Sequence, residues 1–183
     1  MLGKPGAGKG MQSNMLAQAT GYKIFSSGGR LREIASHNTS VGQKVKAVID
    51  NGELMPHWFA SYLFQEAILH TRQDEGIIYE GSCRKEPEAK LFDEVMNWLG
   101  RPYKAIFITA PDEMIVERLL KRQEIEGRAD DTLEKIQTRL KAFREEVLEA
   151  VEFFRKIGNI IEIDGTGSPQ DVHNEIIRQL EIV

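Results

Sequence analysis

The sequence predicts an α/β protein of three layers, with helices packed on both faces of a parallel sheet. Two observations carry this. Short apolar runs alternate with longer helical segments, and a glycine-rich turn ending in lysine stands directly before the first helix. Short apolar strands joined by helices pair in parallel and are buried on both faces. Ligands of such sheets sit beyond the carboxyl ends of the strands, so informative residues should follow each strand.

The elements follow in order. Residues 10–20 read as a helix stopped near Gly21, and 22–26 as a buried strand. Residues 30–36, 41–51 and 56–71 read as helices, with Gly52 as a helix stop and Pro56 at a first helical position. A strand at 76–79, a helix at 87–99, a strand at 105–109 and a helix from 111 to about 122 come next. One long helix over 132–156, a strand at 159–163 and a helix opened by Ser168 and Pro169 complete the chain. Only Met1 and Leu2 precede the glycine-rich turn. The central strand expected before it is therefore missing, and a truncation or a misassigned start codon is the favoured explanation.

Bulk properties narrow the function. The 183 residues suit one domain, 41% hydrophobic and 28% charged. A net charge of -4 argues against a nucleic-acid partner. The single cysteine, Cys83, excludes an internal disulfide framework and fits the reducing cytoplasm. No signal peptide and no apolar run of membrane-spanning length is present, so no membrane partner is expected.

The turn comprises Gly3, Lys4, Pro5, Gly6, Ala7, Gly8 and Lys9, a phosphate-loop spacing with Gly10 where serine or threonine is usual. Its glycines let backbone N–H groups face phosphate oxygens, and the following helix adds its positive end. Lys9 is the expected contact to the β- and γ-phosphates of a nucleoside triphosphate.

The loop resembles the G-x-P-G-x-G-K-G-T variant of the nucleoside monophosphate kinases, adenylate kinase above all. The similarity continues in order along nearly the whole chain. Ser26-Ser27-Gly28-Gly29-Arg30-Leu31-Arg32 resembles the family's S-T-G-D-x-L-R, and Gly52-Glu53-Leu54-Met55-Pro56 its G-x-L-V-P/T. Tyr79-Glu80-Gly81-Ser82-Cys83-Arg84 stands where the family has L-D-G-F-P-R. Pro111-Asp112-Glu113 with Arg118 and Arg122, then Gly127-Arg128-Ala129-Asp130-Asp131 with Arg139, and finally Asp164-Gly165-Thr166, resemble later family segments.

The resemblance implies a phosphate-loop core at 1–27, 72–122 and 132–183, a monophosphate-binding insertion at 28–71 and a short lid at 123–131, without room for a zinc-binding insertion. It implies ATP and a nucleoside monophosphate as partners, AMP favoured and GMP possible, with Mg²⁺ accompanying ATP in a monomer serving nucleotide biosynthesis. Lys9, Arg84, Arg118, Arg122, Arg128 and Arg139 would be catalytic. Gly3, Pro5, Gly6, Ala7, Gly8, Gly10, Met11 and Gly167 would join Lys9, Arg118 and Arg122 around ATP. Ser27, Arg32, Leu54, Met55, Gly81, Arg84, Glu88, Arg128 and Arg139 would bind the monophosphate. Glu80 would hold Mg²⁺ through water. Arginines suit the task because their planar forks clamp phosphate oxygens while charge spreads over the transferred group.

Departures from the family pattern raise an alternative, a catalytically weak nucleotide-binding homologue with a regulatory or interaction role. Glu80 replaces aspartate, and Gly29 replaces aspartate in the second segment. Met11 replaces threonine, and either packs under the loop or simply removes a hydroxyl from the phosphates. Cys83, beside Arg84, has either a lowered pKa or a bystander role. Glu88 stands where the resemblance implies a glutamine that reads adenine. An ionised carboxylate only accepts, which would suit the N1–H and N2–H₂ of guanine. Otherwise Glu88 points to solvent. The run Arg144-Glu145-Glu146 reads as a solvated helix face.

Overall fold

A computed structural model of the protein describes residues 1–127 and 131–182. Its first strand, β1, is Leu2–Gly3 and lies at the centre of the molecule. The expected gap in the sheet is thus filled, by two residues. Leu2 pairs with Phe107 and Gly3 with Ile108 of β4 (Ala105–Thr109). On the other side the Met1 amine donates to Tyr79 O at 2.7 Å, and Gly81 N–H donates to Met1 O at 3.3 Å. These bonds join β3 (Ile77–Glu80) to the centre. With β2 (Lys23–Ser26) on β3 and β5 (Ile160–Asp164) on β4, the parallel order is β2-β3-β1-β4-β5. The order reverses at β1, which puts the switch-point crevice directly above the phosphate loop.

β4 shows why the molecule has three layers. Ala105 and Phe107 face one core, shared with Leu2, Phe64, Phe92 and Phe154. Ile106 and Ile108 face a second, shared with Leu16, Ile115, Leu119 and Ile176. Alternate residues of a strand point to opposite faces, so an unbroken apolar run serves two helical layers.

The helices match the expected order with local corrections. α1 (Lys9–Thr20) follows Gly8 at φ 94° and closes on Gly21, whose N–H donates to Ala17 O. α2 (Ser27–Ser36) starts three residues earlier than expected, because Ser26 Oγ accepts Gly29 N–H and caps it. α3 (Ser40–Asp50) is capped by Thr39, and α4 (His57–Leu69) starts one residue after Pro56, which is its N-cap rather than its first residue. α5 (Glu86–Trp98) carries acids in its first turn. α6 (Asp112–Glu126) extends past Arg122 to a left-handed Gly127.

The single long helix expected over 132–156 is three pieces. α7 (Leu133–Ala142) and α8 (Leu148–Lys156) flank a π-helical segment, Phe143–Val147. That segment buries both Phe143 and Val147 in the first core. The run Arg144-Glu145-Glu146 lies on its solvated side as expected, with Arg144 and Glu145 exposed, and it carries surface ion pairs from Arg144 to Asp112 and from Glu146 to Lys85. α9 (Pro169–Gln179) is capped by Ser168. Among the described residues, no helix is long and apolar enough to cross a membrane.

Candidate functional site: a phosphate loop facing a ring of arginines

A cleft of about 700 Å³ opens at the carboxyl ends of the strands. The phosphate loop forms its floor. Gly3, Gly6 and Gly8 all have positive φ. At Gly3 a Cβ would lie 2.5 Å from Ile108 O, so only glycine lets the loop leave β1 against β4. Lys9 opens α1, and its ammonium folds back on the loop, donating to Gly3 O at 2.9 Å and Lys4 O at 2.7 Å. Desolvation, then the nearby Arg84 guanidinium, lowers the Lys9 pKa from 10.5 to about 7, with Glu80 opposing. Lys9 is half-buried and lines the cleft, so an anion in the cleft lies within its reach.

Every expected site residue among the described residues lines this one cleft. Gly3, Pro5, Gly6, Ala7, Gly8, Lys9, Gly10 and Met11 form the loop side, and Gly167 closes it from the α9 side. Ser27, Arg32, Leu54, Met55, Gly81, Arg84 and Glu88 form the wall beneath α2 and the α3–α4 connection. Arg118, Arg122 and Arg139 project from α6 and α7, and Glu80 ends β3. Arg128 lies outside the described residues.

The arginines are held by local geometry. Arg84 Nε donates to Gly81 O at 2.7 Å. Burial lowers the Arg84 pKa, against the opposing pull of Glu80 and Glu88. Arg118 Nη2 donates to Gly165 O at 3.1 Å. Arg122 forms a two-pronged pair with Asp131, at 2.6 and 2.8 Å, and Arg139 donates to the same carboxylate at 2.8 Å. Asp131 is fully buried. It sets the spacing of two arginines, a role that its place in the Gly127–Asp131 segment does not by itself assign. A signal existed: an acid within a few residues of several arginines, all required in one cleft, must neutralise some of them.

Cys83 is a buried bystander whose thiol pKa is pushed up by burial, not lowered by Arg84. Met11 does not pack under the loop: it is 54% exposed on the cleft wall. Glu88 does not point to solvent, being 2% exposed. Its Oε2 accepts the backbone N–H of Arg84 at 2.8 Å, a reach-back from the third residue of α5 that resembles a capping box. That contact was not legible in sequence, yet it leaves Glu88 on the cleft wall with further lone pairs to offer.

Gly52 contributes in a way that the motif alone hides. It has φ +74°, and a Cβ there would lie 3.3 Å from Arg139 Cγ and 3.4 Å from Lys135 O. The α3–α4 connection therefore touches the arginine-bearing helix α7 at a residue without a side chain. Gly52→Ala is expected to cost about 1–2 kcal/mol from its backbone conformation alone and to lower kcat by displacing Arg139. Urea unfolding and steady-state kinetics on the same samples check both effects.

The residues also fit a hard divalent cation. Ser26 Oγ donates to Glu80 Oε2 at 2.6 Å, which orients an oxygen ligand at the cleft. Among the described residues no group of three or more His, Cys, Asp or Glu could hold a metal by itself. One carboxylate suits Mg²⁺, which keeps several waters and is bound chiefly through substrate phosphates.

Comparison with known proteins agrees with this geometry. The sequence model of the adenylate kinase family matches residues 1–159. The adenylate kinase of Thermus thermophilus is 34% identical over 182 residues, covering 99% of this chain and 95% of that protein. Those of Micrococcus luteus and Maricaulis maris are each 32% identical, covering 97% and 99% of this chain and 87% and 97% of their own lengths. These relatives favour an enzyme over a regulatory homologue. With a phosphate loop, an arginine ring and this likeness over nearly its full length, the chain belongs to the adenylate kinase family and is a nucleoside monophosphate kinase.

Proposed function

We propose that the protein catalyses ATP + AMP ⇌ 2 ADP, with Mg²⁺ bound alongside ATP. The observation that supports this reading most is the convergence of Lys9, Arg84, Arg118, Arg122 and Arg139 on one cleft. Residues 28–71 act as the monophosphate-binding insertion and 123–131 as the short lid on a core of 1–27, 72–122 and 132–183. ATP lies along the phosphate loop, its adenine toward Gly167. The monophosphate lies between Ser27, Arg32, Leu54, Met55, Gly81 and Arg84.

Phosphoryl transfer places little covalent demand on a protein, so these residues act by positioning and by charge. Lys9 exchanges its carbonyl partners for β- and γ-phosphate oxygens. Arg84 and Arg32 hold the acceptor phosphate. Arg118 and Arg122 stabilise the transferred group, and Arg139 with Arg128 closes over both nucleotides and excludes water. Glu80 would hold Mg²⁺ through water, and the cation would supply neutralisation of phosphate charge during transfer. Family membership supports a monomer working in the cytoplasm, which sedimentation and fractionation test.

AMP is the proposed principal acceptor, and Glu88 adds GMP as a second. Its ionised carboxylate accepts from guanine N1–H and N2–H₂ but offers adenine no donor. Burial raises the Glu88 pKa, with the Arg84 N–H opposing. Glu88 therefore protonates at higher pH than a free glutamate. The protonated acid carries one donor and one acceptor, as an amide does. The AMP-to-GMP ratio of kcat/KM is expected to rise as pH falls. Glu88→Gln should raise that ratio about tenfold at neutral pH, as one buried hydrogen bond allows, and flatten its pH dependence. A coupled ADP assay with AMP, GMP, CMP and UMP tests both levels. A ratio untouched by Glu88→Gln removes Glu88 from base selection, and no transfer to any monophosphate defeats the whole reading.

A further inference from the structure

Lys4 is a second cation in the phosphate loop, yet it takes no part in the cleft wall that Gly3, Pro5 and Gly6 form. Its ammonium turns the other way. Nζ donates to Ala110 O at 2.8 Å and lies 2.5 Å from Asp112 Oδ1. The other oxygen of Asp112 accepts Arg144 Nη1 at 2.9 Å.

One carboxylate thus joins three separate pieces of chain. Lys4 belongs to the loop that carries Lys9. Asp112 opens α6, which carries Arg118 and Arg122. Arg144 lies in the π-helical segment continuous with α7, which carries Arg139. The link to Lys9 is direct: the Lys4 carbonyl accepts both Lys9 Nζ at 2.7 Å and Ala7 N–H at 3.1 Å. Anything that fixes the Lys4 peptide therefore fixes the carbonyl that aims Lys9.

We propose that Lys4, Asp112 and Arg144 are positioning residues, a strut outside the cleft that holds the phosphate loop in register with the two arginine-bearing helices. They touch neither nucleotide. They act by keeping Lys9 and the arginines at distances where small misplacements cost rate. The competing assignment makes Lys4 a phosphate ligand, which would require it to leave both Ala110 O and Asp112.

Asp112→Asn separates the two. If Lys4 were a phosphate ligand, weakening its tether would leave ATP use unchanged or improve it. If Lys4 is a strut, Asp112→Asn mimics Lys4→Met. The experiment compares wild type, Lys4→Met, Lys4→Arg, Asp112→Asn and the double variant Lys4→Met/Asp112→Asn. It reads kcat, KM for ATP and for AMP, the ATP dissociation constant by calorimetry, and Tm.

Lys4→Met and Asp112→Asn should each lower kcat/KM for ATP about fivefold, the upper range for a partly exposed ion pair. The double variant should lose clearly less than the product of the two single losses, because both singles break the shared Lys4–Asp112 pair while Arg144 and Ala110 O are each affected by one of them alone. Lys4→Arg should retain wild-type kinetics, and KM for AMP should stay unchanged throughout. Additive losses, an unaffected Asp112→Asn, or a Lys4→Arg as impaired as Lys4→Met overturns the proposal. So does a lowered Tm with unaltered kinetics, which marks a merely structural contact. Should Lys4→Met fail to fold, Lys4→Arg and Asp112→Asn decide. Calorimetry needs no acceptor, so a wrong acceptor assignment cannot be mistaken for a failed strut.

Discussion

Lys9→Met is expected to lower kcat/KM for ATP by about 10²–10³-fold, the cost of removing one preorganised charge from a transferred phosphoryl group. Stability should change far less. Methionine leaves Gly3 O and Lys4 O without the ammonium that they now share. Against this, it relieves the desolvation that lowers the Lys9 pKa from 10.5 to about 7. The two effects oppose each other.

The same lysine makes a pH signature. Between pH about 7 and 10.5 the unfolded chain keeps a proton on Lys9 that the folded protein has lost. More protons bound in the unfolded state means that stability rises with pH across that window. A polyphosphate in the cleft restores the charged form, so ATP binding near pH 8 to 9 is expected to take up a proton. Calorimetry in buffers of different ionisation enthalpy measures this uptake, and Lys9→Met should abolish it. Unchanged uptake in the variant would assign the proton to another group.

Arg122→Ala is the second large effect. Its guanidinium binds the fully buried Asp131 through two parallel hydrogen bonds and also lines the cleft. We expect kcat to fall about 10²–10³-fold with little change in KM for ATP, since the interaction strengthens as charge develops. Stability should also fall, by about 2–3 kcal/mol, less than the 3–5 kcal/mol for orphaning a buried charge because Arg139 still binds Asp131. Arg122→Lys keeps the charge but not the planar fork, so rescue should be partial. Kinetics beside a thermal melt separate the two losses. Wild-type kcat in Arg122→Ala would mean that this residue does not face the transferred group.

Much of the cleft was legible because its chemistry is written in residue types at set spacings. Glycines at 3, 6 and 8 before Lys9 specify a backbone that turns N–H groups inward. Arg118 and Arg122 are one helical turn apart, so any helix there presents them together. The strand at 105–109 was legible for a similar reason, since an apolar run between turn residues has few alternatives.

Other features depended on contacts between distant residues. The two-residue β1 carries no periodic signal, and exists because Leu2 and Gly3 meet Phe107 and Ile108 more than a hundred positions away. The break of the 132–156 helix into α7, a π-helical segment and α8 has no proline or glycine to announce it. Glu88 could have faced solvent or the interior, and only the packing that places it beside the Arg84 N–H put it on the cleft wall.

The sequence alone determined the layered α/β class, the phosphate loop and the set of basic residues required to meet at one cleft. The class and the loop follow from local periodicity and a short motif whose geometry is nearly independent of surroundings, whereas the basic set comes from the ordered resemblance to the nucleoside monophosphate kinases. Only the tertiary structure decided that Asp131 spaces Arg122 and Arg139, that Lys4 pairs with Asp112 outside the cleft lining, and that Cys83 is buried. A charged or polar side chain takes its role from whichever partner lies within hydrogen-bond reach, and that partner is chosen by packing rather than by neighbours along the chain.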